Sequence, residues 1–439
     1  MDNLLQTLHL QSLEKERLLG LTVFERHVKP NFIKLLPLNL IKVILGPRRS
    51  GKSTLAIDAL RTTDFFYLNF EDENLINING DDLIKAIDRE YNNPKLLLLD
   101  EIQNFAHWEM FLNKLQRRGK NLVITGSNSK LLSGEMATSL GGRTLNFEVL
   151  PFGFKEIGGV WENKMPKSEI LKTFLINGGF PEFATNFPNI PSVYLKNLLD
   201  TTLLKDVINR HKIRKTTDIA DFLALLITSM SCPFTLNSAR KGLVGATSPT
   251  TLKKYFGFLE EAYIVFQLQR FSFKTKERIN APRKIYVIDN GLVVAKLGNW
   301  FGLETRLFEN LAFLEIYRQG LTPNLDLFYY QTKNNREIDF IIKEGNKIKK
   351  LIQISFDISA PTTKEREFDA LIEASQELAC DDLVVVTFAD KRVESYHGKT
   401  IKVIGIDDLA WLSQAFSPAL SVDPNLERLA FLKDAEMVV

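Results

Sequence analysis

Cysteine and long apolar runs are both scarce in this sequence. Its 439 residues include 2 cysteines, Cys232 and Cys380, which stand in different segments. Their scarcity argues against a disulfide framework or a cysteine metal site, and it favours a reducing, cytoplasmic location. No apolar stretch reaches the roughly 18 residues that a membrane-spanning helix needs, and the first residues lack a basic segment followed by an apolar run. We therefore expect neither secretion nor a membrane partner.

An excess of one charge sign is also missing. The formal net charge is +3, so composition alone does not establish a nucleic-acid partner, and such a partner has to be argued from local basic clusters. Hydrophobic residues make up 45% of the chain, a share typical of globular proteins that argues against extensive disorder. The length favours about three domains.

Apolar strands alternate with helical patterns from about residue 40 onward. The strands IKVIL, FFYLNF, KLLLLD and NLVITG predict a parallel α/β sheet covered by helices. Leucines at helical spacing precede this core, followed by chain that Pro30 and Pro37 mark as irregular. Helices around a turn from Gly178 to Pro181 follow the core, then short amphipathic helices and a strand-like basic stretch, and then a second alternation. The predicted segments are a helical arm (1–38), the first α/β core (39–157), a helical lid (158–218), a short-helix segment (219–285), a second α/β segment (286–412) and a helical tail (413–439).

A glycine-rich motif follows the first strand of the core. It matches G-x-x-x-x-G-K-[ST] and lies between strand IKVIL and a helix that begins near Lys52. Such a loop turns its N–H groups toward phosphates, and the helix N-terminus adds its positive dipole end. We expect Lys52 to reach the terminal phosphates and the Ser53 hydroxyl to ligate Mg²⁺. The predicted nucleotide-binding residues of this segment are Gly46, Pro47, Arg48, Arg49, Ser50, Gly51, Lys52, Ser53 and Thr54.

Two adjacent carboxylates end the strand LLLLD. Four leucines predict a buried strand that delivers Asp100 to the sheet edge where parallel sheets bind ligands. Asp100 is predicted to bind the nucleotide's Mg²⁺, and Glu101 to orient or deprotonate the attacking water. The alternative, an ordinary charged strand end, is less favoured because the pair follows the glycine-rich motif by about 50 residues.

The motifs favour ATP over GTP. Guanine readers of the small-GTPase kind use Asn-Lys-x-Asp, whereas the nearest spelling here, Asn113 to Gln116, lacks the aspartate and lies in an amphipathic helix. Gln103 also stands where a GTPase would place a glycine after its acidic strand. We therefore expect ATP and Mg²⁺ as the ligands.

Three further residues could complete hydrolysis. Ser127 and Asn128 form a polar tip after strand NLVIT, where a γ-phosphate sensor would lie, although a simple polar turn would look the same. Arg143 follows Gly141 and Gly142 on a turn, and it could enter a neighbouring subunit's site as an arginine finger. That role requires a homo-oligomer, for which we expect a hexameric ring.

The ordered series GPRRSGKST, FYLNFED, LLLLDEIQN, ITGSNSKLLSGE, GGRTLNFEVLPFGFKEI, NGGFPEF and KIYVIDNGLV resembles a widespread group of bacterial and archaeal AAA-type ATPases. The resemblance covers roughly residues 20–412. It implies an AAA core, a winged-helix segment and a C-terminal domain similar to restriction-endonuclease-like nucleases, long classed as of unknown function. The positions that match the group's motifs are Lys52, Ser53, Asp100, Glu101, Ser127 and Arg143.

The short-helix segment carries the basic clusters. Ser248 and Pro249 are typical of a helix start, and the preceding helix and turn from Leu236 to Gly245 make the segment similar to a winged helix. Its charges could contact DNA phosphates, whereas the alternative is a protein-docking winged helix with a solvated basic wing. The predicted DNA-binding residues are Arg240, Lys241, Lys253, Lys254, Lys274, Lys276 and Arg278.

The second α/β segment retains part of a nuclease-like pattern. Restriction-like nucleases need a helix-borne Glu, then an Asp, then a Glu/Gln-x-Lys on an adjacent strand. Glu309 follows Phe308 at the predicted opening of a helix, and Asp339 and Gln353 lie on predicted strands. Ser355 stands where the lysine would be, so we expect this site to be vestigial and the fold to be retained for DNA binding or assembly.

Three classes of function follow from these features. The leading prediction is an oligomeric ATPase that moves or remodels double-stranded or branched DNA. A regulatory switch or protein-remodelling ATPase that docks a partner on its winged helix is the second. The third is an ATP-gated nuclease.

Overall fold

The computed structural model describes residues 2–76, 78–129, 140, 142–243 and 248–409. The chain forms two compact units: Met1–Phe266 with Ile285–Phe301, and Gln267–Lys284 with Gly302–Val439. Residues 285–301 thus belong to the first unit, although we placed nearly all of them at the start of the second α/β segment; the finer predicted limits stay predictions. The predicted tail (413–439) lies outside the described residues. Within the described residues, no helix has the length and apolar character needed to cross a membrane.

Two helices form the N-terminal arm, α1 (Asp2–Leu19) and α2 (Lys29–Leu35). The arm was expected to become irregular after its first helix, and that expectation is wrong for residues 29–35. Pro30 stands in the first turn of α2, where a missing N–H leaves no helical bond unmade. Phe32 and Leu35 bury this helix against the core.

A parallel sheet forms the core of the first unit, with helices packed against it. Among the described residues the strand order is β2-β3-β4-β1-β5, and all neighbours are parallel. The predicted α/β core is therefore confirmed. Its elements are β1 (Ile41–Leu45), α3 (Lys52–Leu60), β2 (Phe66–Asn69), a 3₁₀ turn (Glu73–Leu75), α4 (Gly80–Glu90), β3 (Leu96–Asp100), a 3₁₀ turn (Ile102–Asn104), α5 (Trp108–Arg117), β4 (Asn121–Gly126) and β5 (Thr144–Glu148).

The strand order positions the polar strand ends. Strand β4 lies between β1 and β3, so the end of β4 adjoins both the glycine-rich loop after β1 and the acidic end of β3. Leu45 on β1 pairs with Gly126, and Leu99 on β3 pairs with Ile124. All five residues of β1 and of β3 are buried, and all of them are apolar except Lys42 and Asp100.

A helical region follows the sheet. Its elements are α6 (Phe154–Trp161), α7 (Lys167–Asn177), α8 (Pro181–Asn186), α9 (Val193–Thr202), a π-helical turn (Leu203–Asn209) and α10 (Thr216–Thr228).

The turn that begins at Gly178 has a distant partner. Gly178 has a φ of 69°, and a Cβ there would overlap the Asp289 carboxylate. Asp289 accepts from Gly179 N at 2.7 Å and caps the helix that begins at Asn290, so it joins two segments that are distant in the chain.

The basic stretch after residue 269 is not a continuous strand as expected. A short helix interrupts it, because the Ser272 hydroxyl and Lys274 pair with Glu277 and stabilise a turn there. The elements are β6 (Pro233–Phe234), α11 (Leu236–Gly242), α12 (Pro249–Glu261), β7 (Val265–Gln269), α13 (Thr275–Asn280), β8 (Arg283–Val287) and α14 (Asn290–Leu297). Among the described residues, β6, β8 and β7 form a sheet in that order.

A mixed sheet dominates the second unit. Its elements are α15 (Glu304–Tyr317), β9 (Leu327–Gln331), β10 (Glu337–Glu344), β11 (Lys347–Ile354), α16 (Pro361–Leu378), β12 (Leu383–Thr387), β13 (Arg392–Tyr396) and β14 (Lys399–Gly405). The order among the described residues is β13-β14-β12-β11-β10-β9. Strands β11, β12 and β14 run parallel, whereas β9, β10 and β13 pair antiparallel to their neighbours. Phe368 and Leu371 of α16 pack into the unit's apolar core.

Candidate active site

The glycine-rich loop makes a tight turn between β1 and α3. Gly46 has a φ of 151°, and a Cβ there would overlap the Val149 carbonyl, so the loop packs too closely for a side chain. Gly51 has a φ of 91° and is the N-cap residue of α3, and no side chain among the described residues caps this helix. The first N–H groups of α3 therefore lack a side-chain acceptor, as suits an anion site.

The Lys52 ammonium is buried beside acceptors of its own chain. Its Nζ donates to the Pro47 carbonyl at 3.0 Å and lies 3.5 Å from a Glu101 carboxylate oxygen. The structure thus brings the predicted lysine and the predicted catalytic carboxylate together across the gap between two strand ends.

Asp100 is a fully buried carboxylate at the end of β3. The Ser53 hydroxyl donates to its Oδ1 at 2.8 Å, and the Thr125 hydroxyl donates to the same oxygen. Burial raises the pKa of Asp100 to about 6, and the neighbouring Glu101 charge adds to that rise. Thr125 was not predicted, and it lies here because β4 adjoins β3.

Glu101 occupies a left-handed backbone conformation, with a φ of 49°. Its N–H donates to the Thr125 hydroxyl at 3.0 Å, and Gln103 donates to its carboxylate. Burial alone would raise the pKa of Glu101, but the Lys52 ammonium, the Gln103 hydrogen bond and the Arg48 charge together outweigh it, so the pKa lies below its ordinary value. A left-handed conformation at a non-glycine residue is uncommon and fits a functional constraint.

The polar tip of β4 lies near the loop, whereas Arg143 lies away from it. Ser127 is buried and Asn128 is half-buried after β4. Arg143 is exposed and precedes β5, where its carbonyl accepts from Ile41 N at 2.9 Å. Because β5 runs parallel to β1, Arg143 stands one strand length, roughly 17 Å, from the loop. It does not reach the site of its own chain.

An open cleft of about 670 Å³ adjoins the loop. Arg49 and Thr54 are exposed along it, and Pro47 and Ser50 are buried in the loop. The N-terminal arm also lines the cleft through Leu18, which the sequence did not reveal. The lining includes Glu14, Leu18, Leu21, Thr22, Val23, Phe24, Arg26, Arg48, Arg49, Gly51, Lys52, Ser53, Thr54, Asp100 and Glu101.

Arg26 is a further site residue that sequence reasoning missed. Its Nη1 donates to the Ser50 carbonyl at 3.0 Å, and its Nη2 donates to the Leu150 carbonyl. Its Nε lies 3.1 Å from Glu156, and the guanidinium also lies over the Phe152 ring. These partners lie 24 to 130 residues away in the chain, so no local pattern could have indicated them.

The predicted DNA-binding residues fall in both compact units. Those on α11 and α12 are exposed and belong to the first unit, whereas those around α13 belong to the second. Arg278 is the exception to full exposure, because its guanidinium lies over the Phe328 ring. The exposed ones are Arg240, Lys241, Lys253, Lys254, Lys274 and Lys276.

The nuclease-like pattern of the second unit contains an unexpected lysine. Lys284 is fully buried, and its Nζ lies 2.9 Å from Glu309, 2.8 Å from Glu337 and 2.9 Å from Asp339. It enters from β8, whereas Ser355 follows β11 and donates to the Asp357 carbonyl.

Two predicted features of this pattern look different in the structure. Glu309 lies in the second turn of α15, which begins at Glu304 and not at Phe308 as expected. The Gln353 side chain accepts from Asp339 N and donates to Glu367, so it joins the cluster as an amide. Glu309 and Asp339 thus contact a lysine that the sequence pattern did not include, and Gln353 joins them through the Asp339 backbone.

Known proteins match the chain in three successive parts. An AAA domain matches residues 38–158, a domain of unknown function (DUF8612) matches 168–300, and another (DUF4143) matches 304–409. An uncharacterized protein of Methanocaldococcus jannaschii is 38% identical over 389 residues, which cover 82% of this chain and 85% of that protein. An uncharacterized protein of Haemophilus influenzae is 27% identical over 399 residues, covering 86% and 95%.

Among solved structures, the Walker-type ATPase PABY2304 of Pyrococcus abyssi is 14% identical with a TM-score of 0.45, covering 64% of this chain and 99% of that chain. The predicted resemblance to AAA-type ATPases is confirmed at the level of the family. The extent of the Methanocaldococcus match, together with the AAA domain at residues 38–158, shows that this chain belongs to a family of AAA-type P-loop ATPases.

Proposed function

We propose that this chain binds ATP with Mg²⁺ and hydrolyses it. The observation that carries the proposal is that two pairs of side chains meet at one edge of the sheet. Ser53 lies 2.8 Å from Asp100, and Lys52 lies 3.5 Å from Glu101. The loop after β1 and the acidic end of β3 thus place a hydroxyl, an ammonium and two carboxylates beside one cleft.

The donor set suits magnesium. Mg²⁺ prefers hard oxygen ligands, and the Ser53 hydroxyl and the Asp100 carboxylate supply two such oxygens beside the first turn of α3. When bound, the ion would neutralise phosphate charge during transfer. Lys52 would hold the terminal phosphates. Glu101, whose pKa the Lys52 ammonium, Gln103 and Arg48 lower, would orient the attacking water and accept its proton.

We propose sensing and assembly roles for the remaining predicted residues. Ser127 and Asn128 would contact the γ-phosphate. They follow β4, which lies between β1 with its glycine-rich loop and β3 with its acidic end. Arg143 would act on the site of a neighbouring subunit, since it is exposed and distant from its own loop. A ring of six subunits would present one such arginine to each site.

We propose that the protein uses ATP hydrolysis to move or remodel double-stranded or branched DNA. Exposed Arg240, Lys241, Lys253 and Lys254 on α11 and α12 support it, because helices of this kind carry phosphate contacts in winged-helix proteins. Ser248 caps α12 by accepting from Thr251 N, and Pro249 follows at its first turn, as expected for that helix.

We propose that the second unit serves DNA binding or assembly and does not cleave DNA. Lys284 stands among Glu309, Glu337 and Asp339 and already supplies a positive charge that would otherwise come from a metal. Plasmid nicking with Mg²⁺ that disappeared in Asp339→Ala would overturn this reading and support the nuclease alternative.

An ATPase assay across DNA forms at several salt concentrations tests the proposal, with particle size measured in parallel. Turnover should rise with linear, forked or four-way DNA, and Lys52→Ala should abolish it. Lys85→Ala, which changes an exposed lysine of α4, is the control. The double variant Lys253→Ala and Lys254→Ala should lower the slope of log affinity against log salt by about 2, since each lysine would contact one phosphate.

The outcomes separate the two parts of the proposal. Hydrolysis that is insensitive to every DNA form, with no salt-sensitive DNA binding, would remove the DNA role and favour the protein-remodelling alternative. Failure to bind labelled ATP with Mg²⁺ would remove the ATPase role.

A further inference from the structure

A buried carboxylate on the π-helical turn contacts three side chains of the kinds that bind phosphate, two arginines and a serine. Asp206 has a side chain that is 3% exposed. Arg48 Nε lies 3.0 Å from its Oδ2, and Arg210 Nη2 lies 3.2 Å from its Oδ1. The Ser127 hydroxyl lies 3.4 Å from the same Oδ1.

These donors come from three different parts of the first unit. Arg48 belongs to the glycine-rich loop and lines the cleft, Ser127 ends strand β4, and Arg210 follows the π-helical turn. Arg48 also meets Glu71 at 2.7 Å, so its guanidinium already lies between two carboxylates. Its Nε and Nη2 both donate to Asp206, so a phosphate that binds this edge of the guanidinium has to displace the Asp206 carboxylate.

A second observation concerns two buried hydrogen-bond donors near the same residues. Arg210 Nη1 is buried and finds no acceptor among the described residues. The Ser50 hydroxyl in the loop is also buried without a described partner. Buried donors of this kind are costly unless an acceptor reaches them, and a phosphate supplies acceptors.

We propose that Asp206 is an internal stand-in for the γ-phosphate. It holds Arg48, Arg210 and Ser127 until the third phosphate of ATP competes for them, and this exchange couples the nucleotide to the helical region. The inference rests on the proposed ATP-binding function. ADP leaves the contacts of Asp206 in place, because its phosphates reach the loop amides and Lys52 but not the tip of β4. Asp206 is thus a positioning residue whose contacts with Arg48, Arg210 and Ser127 are released by ATP and kept with ADP.

The test measures how tightly a variant with an amide in place of the Asp206 carboxylate binds each nucleotide. Asp206→Asn keeps the shape but removes the charge that competes with phosphate, so it should bind the imido analogue of ATP with Mg²⁺ at least fivefold more tightly than wild type. Its affinity for ADP should change less than twofold. Asp200→Asn makes the same change at a half-exposed position on α9, where the carboxylate lies 3.5 Å from Lys296, and it should leave both affinities as in wild type. Labelled nucleotides and fluorescence titration would measure each Kd.

The possible results are distinct. Unchanged or weaker binding of the analogue by an Asp206→Asn variant with a wild-type melting temperature would overturn this inference alone. A wild-type protein that binds neither nucleotide would defeat the proposed function first. If the variant does not fold, hydrogen exchange of the wild type decides: the analogue should speed exchange of the amides in residues 203–209 and ADP should not. Absence of that acceleration would overturn the inference.

Discussion

At the scale of single residues, the second unit buries one ammonium among three carboxylates. Lys284 is within 3 Å of Glu309, Glu337 and Asp339 and is wholly removed from solvent. Burying a charge is costly unless it is paired, and removing one member of a buried ion pair leaves the other charges uncompensated. Burial also raises the pKa of Glu337 above its ordinary value, which fits a crowded acidic cluster.

Replacing Lys284 by methionine should therefore destabilise the protein strongly. We expect the free energy of unfolding to fall by about 3–5 kcal/mol, as for other broken buried pairs. Lys349→Met, which removes a half-exposed partner of Glu344, is the control and should cost less than about 1 kcal/mol. Urea unfolding of both variants measures the difference, and equal midpoints would contradict the assigned role.

The buried Asp100 carboxylate should make the free energy of unfolding depend on pH. Burial raises its pKa to about 6, whereas an unfolded aspartate titrates near 4, so folding binds a proton between these values. The free energy of unfolding contributed by this group therefore falls as the pH rises from about 4 to about 6 and stays low above that.

Neutralising this carboxylate should stabilise the fold at the expense of hydrolysis. We expect Asp100→Asn to raise the melting temperature at pH 7.5 by an amount equivalent to roughly 1–3 kcal/mol, and to lose that advantage near pH 4.5. The same variant should lose ATP hydrolysis with Mg²⁺. Thermal unfolding at the two pH values, with Asp200→Asn as control, is the measurement, and a less stable variant at pH 7.5 would contradict it.

At the scale of elements, a two-glycine turn joins distant segments of the first unit. The turn between α7 and α8 packs against the Asp289 carboxylate, which accepts from Gly179 N at 2.7 Å and also caps α14. Gly178 needs a left-handed conformation, and a side chain there would overlap Asp289. One carboxylate thereby fixes both the entry to α8 and the start of α14.

A methyl group at this turn should be poorly tolerated. We expect Gly178→Ala to lower the free energy of unfolding by more than about 1 kcal/mol, because strain and overlap add together. Gly159→Ala on α6 meets open space and should instead be neutral or stabilise by up to about 1 kcal/mol. Denaturant unfolding of the pair tests this, and similar effects of the two changes would count against the turn's role.

At the scale of the whole molecule, the distance of Arg143 from its own loop makes its proposed role dependent on assembly. Mixing Arg143→Ala subunits with Lys52→Ala subunits should restore part of the ATPase activity, because one intact arginine can then face one intact site. Arg143→Lys is a useful companion, since it keeps the charge but loses the planar fork. Inactivity at every mixing ratio would contradict a role between subunits.

Local patterns sufficed for much of the ATPase core. The apolar strands, the glycine-rich loop and the helix from Lys52 follow from short-range rules on burial and backbone freedom, and the structure bears out this α/β core. The same rules misjudged residues 29–35 and 275–280. Pro30 fits the first turn of a helix, and polar pairing with Glu277 stabilises a turn inside a basic stretch.

Sequence by itself determined which chemical groups this protein carries and which strand ends deliver them, because backbone preferences and apolar periodicity act over a few residues. Only the tertiary structure decided that Arg26 and Asp206 contact the loop. It also decided that Arg210 contacts Asp206 and that Lys284 enters the acidic cluster. The contacts of these side chains include partners up to 158 residues away in the chain. Contacts over such distances depend on strand order and packing, which no local pattern encodes.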